Sequence, residues 1–431
     1  MIRPPQCLPF ALTSLVLALS GCVQPGAPVV PASRQAPAGP LTTGIASFNM
    51  GWAGTPAEFA RYVSVCSAPA VNYCDTRARI ERGATAVTDA EKARAAKCQQ
   101  DTLAAAGGRD ASMRVPPCNA YRPPRPAPGA PRMDPAASRV PAAYQEKIEQ
   151  LTTTVDRLIA NEGVRLIAFQ EVSGAEVVKL VLGRHADKFE VCAATHDAFQ
   201  TLAFAWDRTL TTRPGVCETE SRLAILDPAN DPKAFRRVRP GLALTLTVNG
   251  EPMTFMNVHL KAGCASVTNE DPRFPGRLLD DPAEACDVLN RQVAPLEEWI
   301  DSVAKKSPRF VWMGDFNRRI DDEEKLAISR DKVRADGSDP AGAHRTTNGK
   351  VSTRYLWPEL NDGSPVMYQV AVSTKDGGCT GFIGLDHIVI SEALKKVNPG
   401  VVFSKKVGVA EKPGQRIETS DHCPRVAQLR F

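Results

Sequence analysis

YQEKIEQLTTTVDRLIANEGVRLIAFQEV, residues 144–172, carries a helix, its stop and a strand in one continuous line. Ile148, Leu151, Val155, Leu158 and Ile159 recur at steps of three and four, the spacing that puts apolar side chains on one face of a helix. Gly163 closes that helix. The next segment, VRLIAFQEV over 164–172, is an apolar run of strand length ending in two polar residues, Gln170 and Glu171. A helix that feeds directly into a buried strand predicts a sheet with helices outside it.

The same alternation recurs along the chain. GIASFNM, 44–50, reads as a short strand that stops at Gly51. LALTLTV and MTFMNVHL flank Asn249-Gly250, a dipeptide that supplies the two positive φ angles of a tight hairpin turn. The segment 285–306 is an amphipathic helix, with Val288, Leu289, Val293, Leu296 and Ile300 on or beside one stripe. It runs into the strand RFVWMGDFN, and GLDHIVIS and VAQLRF complete the set as late strands. Hairpins mixed with strand-helix-strand units define the fold class as α/β, an α/β sandwich of two mixed sheets flanked by helices.

The N-terminus suggests a compartment. Arg3 precedes an apolar stretch, PFALTSLVLAL, that ends at Leu19, Ser20, Gly21 and Cys22. The stretch is too short for a transmembrane helix and reads as a cleaved signal over 1–21. Cys22 is then the lipidated first residue of a bacterial lipoprotein, and the Pro- and Ala-rich residues 22–40 are its tether. Membrane contact is expected through the lipid anchor, and resemblance to proteobacterial lipoproteins, if their sorting rule applies, implies the outer membrane, since Val23 rather than Asp follows Cys22. A cell-envelope domain over 41–431 follows, expected as a monomer.

Cysteine usage agrees with export. Of 12 cysteines, those other than Cys7 and Cys22 are even in number and include no CxxC pair, which favours disulfides over a thiolate metal site. Neighbourhood suggests Cys192 with Cys217, Cys264 with Cys286, Cys379 with Cys423, and Cys66, Cys74, Cys98 and Cys118 among themselves. Residues 66–141 are rich in Ala, Arg and Pro and poor in aliphatic periodicity, so they read as a disulfide-stapled insertion that closes in an exposed linker, 121–141. Charge decides little: 53 Lys and Arg face 48 Asp and Glu. A net charge of +5 permits phosphodiester binding without the dense basic stripe of a dedicated nucleic-acid binder.

What decides chemistry is where the polar residues fall. Asn49; Gln170 and Glu171; His259 with Lys261; Asp315 and Asn317; Asp386; and Asp421 with His422 each sit at or beside a strand end. Sheet strands end side by side, so these groups are expected at one rim. Cleaving a phosphodiester requires a divalent cation on the phosphoryl oxygens, an activated water and donors for the added negative charge. Glu171 is the best first ligand for a hard ion such as Mg²⁺, with Asn49 and Asp421 completing the shell directly or through water. In GDFNRR, 314–319, Asp315 and Asn317 alternate with Phe316, which points into the core. Asp386 paired with His422 is a general device for fixing an imidazole and stabilising its charged form. Trp52 and Trp312 read as core aromatics rather than stacking platforms.

In order, FNMGW, FQEV, NVHLK, GDFN, GLDHIVIS and SDHCP resemble the metal-dependent endonuclease/exonuclease/phosphatase superfamily, over residues 41–65 and 142–431 but not over the insertion. The resemblance implies a four-layered α/β sandwich, a Mg²⁺ cofactor with Mn²⁺ or Ca²⁺ as alternatives, and metal ligands Asn49, Glu171 and Asp421. By the same resemblance Asp315 positions or deprotonates the attacking water, and Asn317 holds the phosphate. His259 donates to a phosphoryl oxygen, and His422 with Asp386 acts as base or transition-state stabiliser. Gln170, Lys261, Arg318 and Arg319 are candidate substrate contacts, although surface charge explains the last three equally well. The expected substrate is a phosphodiester, first DNA or RNA, with a sphingomyelinase-like or small-phosphate esterase as the alternative. An inactive binding lipoprotein of the same fold is a third reading, opposed by the joint presence of Glu171, Asp315, Asp386 and His422.

Overall fold

Helix 141–160 shows why these residues fold as they do. Pro141 sits at its first position, where the missing N–H costs nothing. Ala143, Tyr144, Lys147, Ile148, Leu151, Thr154, Val155 and Leu158 form its buried face. The computed structural model describes residues 42–67, 88–124, 129, 131, 133–227, 236–265, 284–325, 355–373 and 384–431, and all of them fall in one unit spanning Arg34–Phe431.

Two mixed sheets form the centre. The first holds β1 (Thr42–Ala53), β2 (Val164–Val172), β3 (Phe189–Ala193), β4 (Thr201–Asp207), β12 (Ala371–Val372), β14 (Phe403–Lys406) and β15 (Arg425–Arg430), in the order β12-β14-β15-β1-β2-β4-β3. The second holds β5 (Val216–Glu220), β8 (Gly241–Val248), β9 (Glu251–His259), β10 (Phe310–Asp315), β11 (Met367–Gln369) and β13 (Asp386–Ser391), in the order β11-β13-β10-β9-β8-β5. A separate two-stranded ribbon pairs β6 (Leu226–Asp227) with β7 (Arg236–Arg237). The expected hairpin is β8–β9, with Val248 opposite Glu251 and positive φ at Asn249 and Gly250.

Three apolar layers separate four layers of structure. One core packs the helices Pro56–Cys66, Pro141–Ala160 and Ala175–Leu182 against the outer face of the first sheet, through Tyr62, Tyr144, Leu151, Val177 and Phe169. A second lies between the sheets, with Ile45, Leu166 and Phe204 from one and Leu244, Phe255, Val311 and Ile388 from the other. The third packs helix Glu284–Lys306 and helix Leu356–Leu360 on the second sheet, through Leu289, Leu296, Trp312 and Leu360. The architecture is an α/β sandwich, as the alternation of elements implied.

Cys192 bonds Cys217 and Cys66 bonds Cys118, which joins the first insertion cysteine to the last. Cys264 and Cys423 are also disulfide-bonded. The pairings expected for them, with Cys286 and Cys379, and the pairings of Cys74 and Cys98 rest on side chains outside those described, as do the signal 1–21, Cys22 and the tether. The expected exposed linker needs correction at both ends. Tyr121 is buried against the rings of Phe59, Tyr62 and Tyr144, and Ser138 is buried while donating to the Tyr121 carbonyl at 2.9 Å. Apolar and aromatic residues set among prolines gave the start of this segment a core contact that its composition hid.

Candidate active site

The period of two that fills the core between the sheets also aims the polar residues. On β10, Val311 and Met313 pack into that core, so Asp315 emerges on the same face. Likewise Phe255 is followed by Asn257 and His259 on β9, Ile390 and Ile388 by Asp386 on β13, and Ile45 by Ser47 and Asn49 on β1. Asp315 stands opposite His259 on one neighbouring strand and Asp386 on the other. All four site residues are buried. Beneath them a polar floor ties the sheets together. Ser47 Oγ donates to Gln170 Oε1 at 3.3 Å, Gln170 Nε2 to Asn257 Oδ1 at 2.8 Å, and Asn257 Nδ2 to the Phe169 carbonyl at 2.9 Å.

Above the floor opens a cavity of about 400 Å³ lined by Glu171, His259, Asp315, Asn317, Asp421 and His422, together with Trp52, Arg122 and Lys147. Three lining residues, Trp52, Glu171 and Asn317, have φ of 61°, 56° and 50°, a left-handed backbone that costs about 1–3 kcal/mol at non-glycine residues and gathers at functional sites. Glu171 is fixed by the Trp52 backbone N–H, which donates to Oε2 at 3.1 Å. Asp315 accepts from Asn49 Nδ2 at 3.1 Å and from the Asn317 backbone N–H at 2.9 Å.

His422 lies between two carboxylates. Its Nδ1 is 3.0 Å from Asp386 Oδ2, and its Nε2 is 3.6 Å from Asp315 Oδ2. Lys406 Nζ donates to Asp386 Oδ2 at 3.1 Å, so Asp386 is anchored from behind. Burial alone would push the His422 pKa down, but Asp386 and Asp315 outweigh it and raise it to about 10. For Asp386 burial is likewise outweighed, by His422 and Lys406, and its carboxyl is held below the usual range. Asp315 goes the other way, raised to about 6 chiefly by burial.

His259 presents Nε2 at 3.4 Å from Asp315 and 3.7 Å from Glu171, while its buried Nδ1 has no partner among the described residues. A neutral ring with the proton on Nε2 fits best, because an unpaired lone pair is less costly than an unpaired N–H. Burial, then Arg239 and His422, push its pKa well below the ordinary value despite the nearby acids.

The donor set suits a hard divalent cation. Glu171, Asp315 and Asp421 share one cavity, and burial followed by repulsion from Asp421 and Asp315 lifts the Glu171 pKa to about 7. A cation relieves that repulsion. Glu171 and Asp421 offer oxygens to the cavity, whereas Asn49 lies behind it, its Oδ1 accepting from the Gly51 N–H at 3.0 Å. Asp315, Asp386 and His422 also bring ligand atoms within 4.8 Å of one another, but an ion among them would compete with Lys406 for Asp386.

Four expected substrate contacts stand elsewhere. Gln170 is fully buried in the floor. Arg318 is fully buried, 3.5 Å from Glu323 and 3.8 Å from Cys264 Sγ. Arg318 follows directly on Asn317, whose backbone is left-handed at φ 50°. Lys261 and Arg319 are half-buried outside the cavity lining, their backbone N–H groups bonded to Gln292 Oε1 and the Ala265 carbonyl. Trp312 is a core residue stacked on Phe316 at 4.0 Å, but Trp52, expected in the core, lines the cavity.

Lys147 was legible yet missed. It falls on the buried stripe of its helix, and its Nζ donates to the carbonyls of Met50, Glu418 and Thr419. It thereby holds the 418–421 segment against the end of β1, at the cost of a pKa pushed by burial down to about 8.

No protein-family model matches this chain, and no curated protein matches it. Among solved structures it is similar to an endonuclease/exonuclease/phosphatase family protein from Bacteroides thetaiotaomicron, at 9% identity over 91% of this chain and 99% of that one, with a TM-score of 0.43. It is also similar to a humanized D. rerio TDP2, at 14% identity over 66% and 93% of the two chains, TM-score 0.38. A third is D. rerio TDP2 complexed with a single-strand DNA product, at 16% identity over 65% and 92%, TM-score 0.36.

Proposed function

We propose that this chain is a divalent-metal-dependent phosphodiester hydrolase of the endonuclease/exonuclease/phosphatase type, cleaving DNA or RNA. One observation carries the reading: His422, flanked by Asp386 and Asp315, opens onto the same cavity as Glu171 and Asp421. A binding protein has no need of a doubly flanked imidazole beside a carboxylate cluster.

Glu171 and Asp421 would hold the cation, which when bound supplies positive charge against the phosphoryl oxygens. Asp386 fixes the orientation of the His422 ring, and the two carboxylates favour the imidazolium, so Nε2 donates to a phosphoryl oxygen as charge accumulates. His259 donates through Nε2 on the same side. Asp315, oriented by Asn49 and by the Asn317 backbone, accepts the proton of the attacking water. Asn317 Nδ2 donates to the Leu260 carbonyl at 3.0 Å, which fixes the amide beside Asp315.

We also propose export and lipidation at Cys22. The support is the N-terminal pattern together with the disulfides, among them Cys66–Cys118 and Cys192–Cys217, which persist in oxidising compartments.

The test is a substrate panel with Mg²⁺, using chain purified from the membrane fraction: supercoiled plasmid, single-stranded DNA, RNA, sphingomyelin and small phosphate esters. Cleavage of nucleic acid is expected to exceed that of the others. Cleavage of sphingomyelin or small esters alone would move the assignment to a lipid or small-phosphate esterase. A folded, disulfide-bonded protein that cleaves none of them would be a binding protein.

A further inference from the structure

Residues 118–122, which composition marks as the edge of a spacer, build a wall of the cavity through Asn119, Ala120 and Arg122. The segment is held from four directions. Cys118 is bonded to Cys66. The Tyr62 hydroxyl donates to the Cys118 carbonyl at 2.9 Å. Tyr121 is packed edge-on among Phe59, Tyr62 and Tyr144. The Arg122 carbonyl accepts from the Glu418 backbone N–H at 2.9 Å.

All this fixes a half-exposed guanidinium whose Nε and Nη2 lie 3.0 Å from Glu418 and Asp421. Ion pairs this open to water contribute little, so the pairs alone do not account for the construction around them. A rigid arginine on the wall of a phosphate-cleaving cavity does, because its planar fork matches phosphate oxygens. Asp421 is also one of the acids that would hold the cation, and with the cation bound it would pair less strongly with Arg122. That would leave guanidinium N–H groups for an incoming anion.

We infer that Arg122 is a substrate-binding residue that holds a phosphate of a nucleic-acid strand next to the one cleaved. The inference rests on the phosphoesterase reading above and narrows it: chains with successive phosphates are preferred over esters with a single one. The insertion is thereby a specificity element.

The test compares full-length wild type with Arg122→Gln and Arg122→Lys. In chelator, binding of a labelled single-stranded oligonucleotide is followed by anisotropy across a salt series. Arg122→Gln is expected to weaken binding about fivefold or more and to reduce the salt slope by about one phosphate contact, with Arg122→Lys intermediate. With Mg²⁺, the ratio of kcat/KM for the oligonucleotide to that for bis(p-nitrophenyl) phosphate should fall about tenfold in Arg122→Gln. A wild type that cleaves neither substrate defeats the phosphoesterase reading, while the chelator arm still reports on Arg122. Unchanged binding, slope and ratio in a variant with wild-type Tm overturn the inference. So does a defect confined to phosphatidylglycerol vesicles. Should Arg122→Gln fail to fold, Arg122→Lys keeps the charge toward Glu418 and Asp421 without the fork and carries the same comparison.

Discussion

Replacing His422 with alanine is expected to lower kcat for phosphodiester cleavage by about 10²–10⁴-fold, the range for a lost acid–base or charge-stabilising group. The fold should survive, because Asp386 keeps its ion pair with Lys406 and is not left as a lone buried charge. Asp386→Asn removes the charge that holds the imidazolium and should lose most of the same activity. The double variant should be little worse than either single one, since two residues acting as a unit are not additive. Steady-state kinetics with a thermal melt on each variant checks all three. Retention of a tenth or more of the activity in a folded His422→Ala would remove His422 from the reaction.

Gly314→Ala is expected to destabilise the protein by more than about 3 kcal/mol, beyond the usual cost of backbone strain or overpacking alone. Gly314 has φ +141°, and a Cβ there would stand 2.0 Å from the Val258 carbonyl oxygen. No side chain can swing aside, because the obstacle is the backbone of β9 in parallel register with β10. Relief would have to separate the strands that carry His259 and Asp315, so activity should fall with stability. Gly163→Ala is the control: it has φ +64° but open space around it, and should cost only about 1–2 kcal/mol. Urea denaturation of the two variants measures the contrast.

Much of this site was legible because a strand's alternation is rigid. Once Val311 and Met313 are assigned to the core, Asp315 has only one face to occupy, and the same holds for His259, Asp386 and Asn49. Alternation alone does not place every polar group. Gln170 follows Leu166 and Ala168 on the face between the sheets, one residue short of the rim, where Asn257 meets it. Its parity is that of the site residues and it stands opposite Asn49, but its amide is taken up by Asn257 in the floor. Arg318 and Arg319 lie beyond a left-handed residue, where alternation no longer says where a side chain goes. Arg122 could not be found from period or composition: it reaches Glu418 and Asp421 across 296 and 299 positions, through a disulfide and an aromatic cluster that only the folded structure brings together. Lys147 was available, since a lysine on a buried helical stripe requires partners. Its partners are backbone carbonyls, which leave no mark in a sequence.

On the proposed function, the Glu171–Asp421 side of the cavity and the Asp386–His422 pair work together on a phosphodiester. Plasmid cleavage by the wild-type chain, followed in Mg²⁺, after chelation and after Mg²⁺ is restored, tests it most directly. Cleavage is expected to stop with chelator and to return with the cation. An undiminished rate in chelator, with the cation verifiably removed, would contradict it.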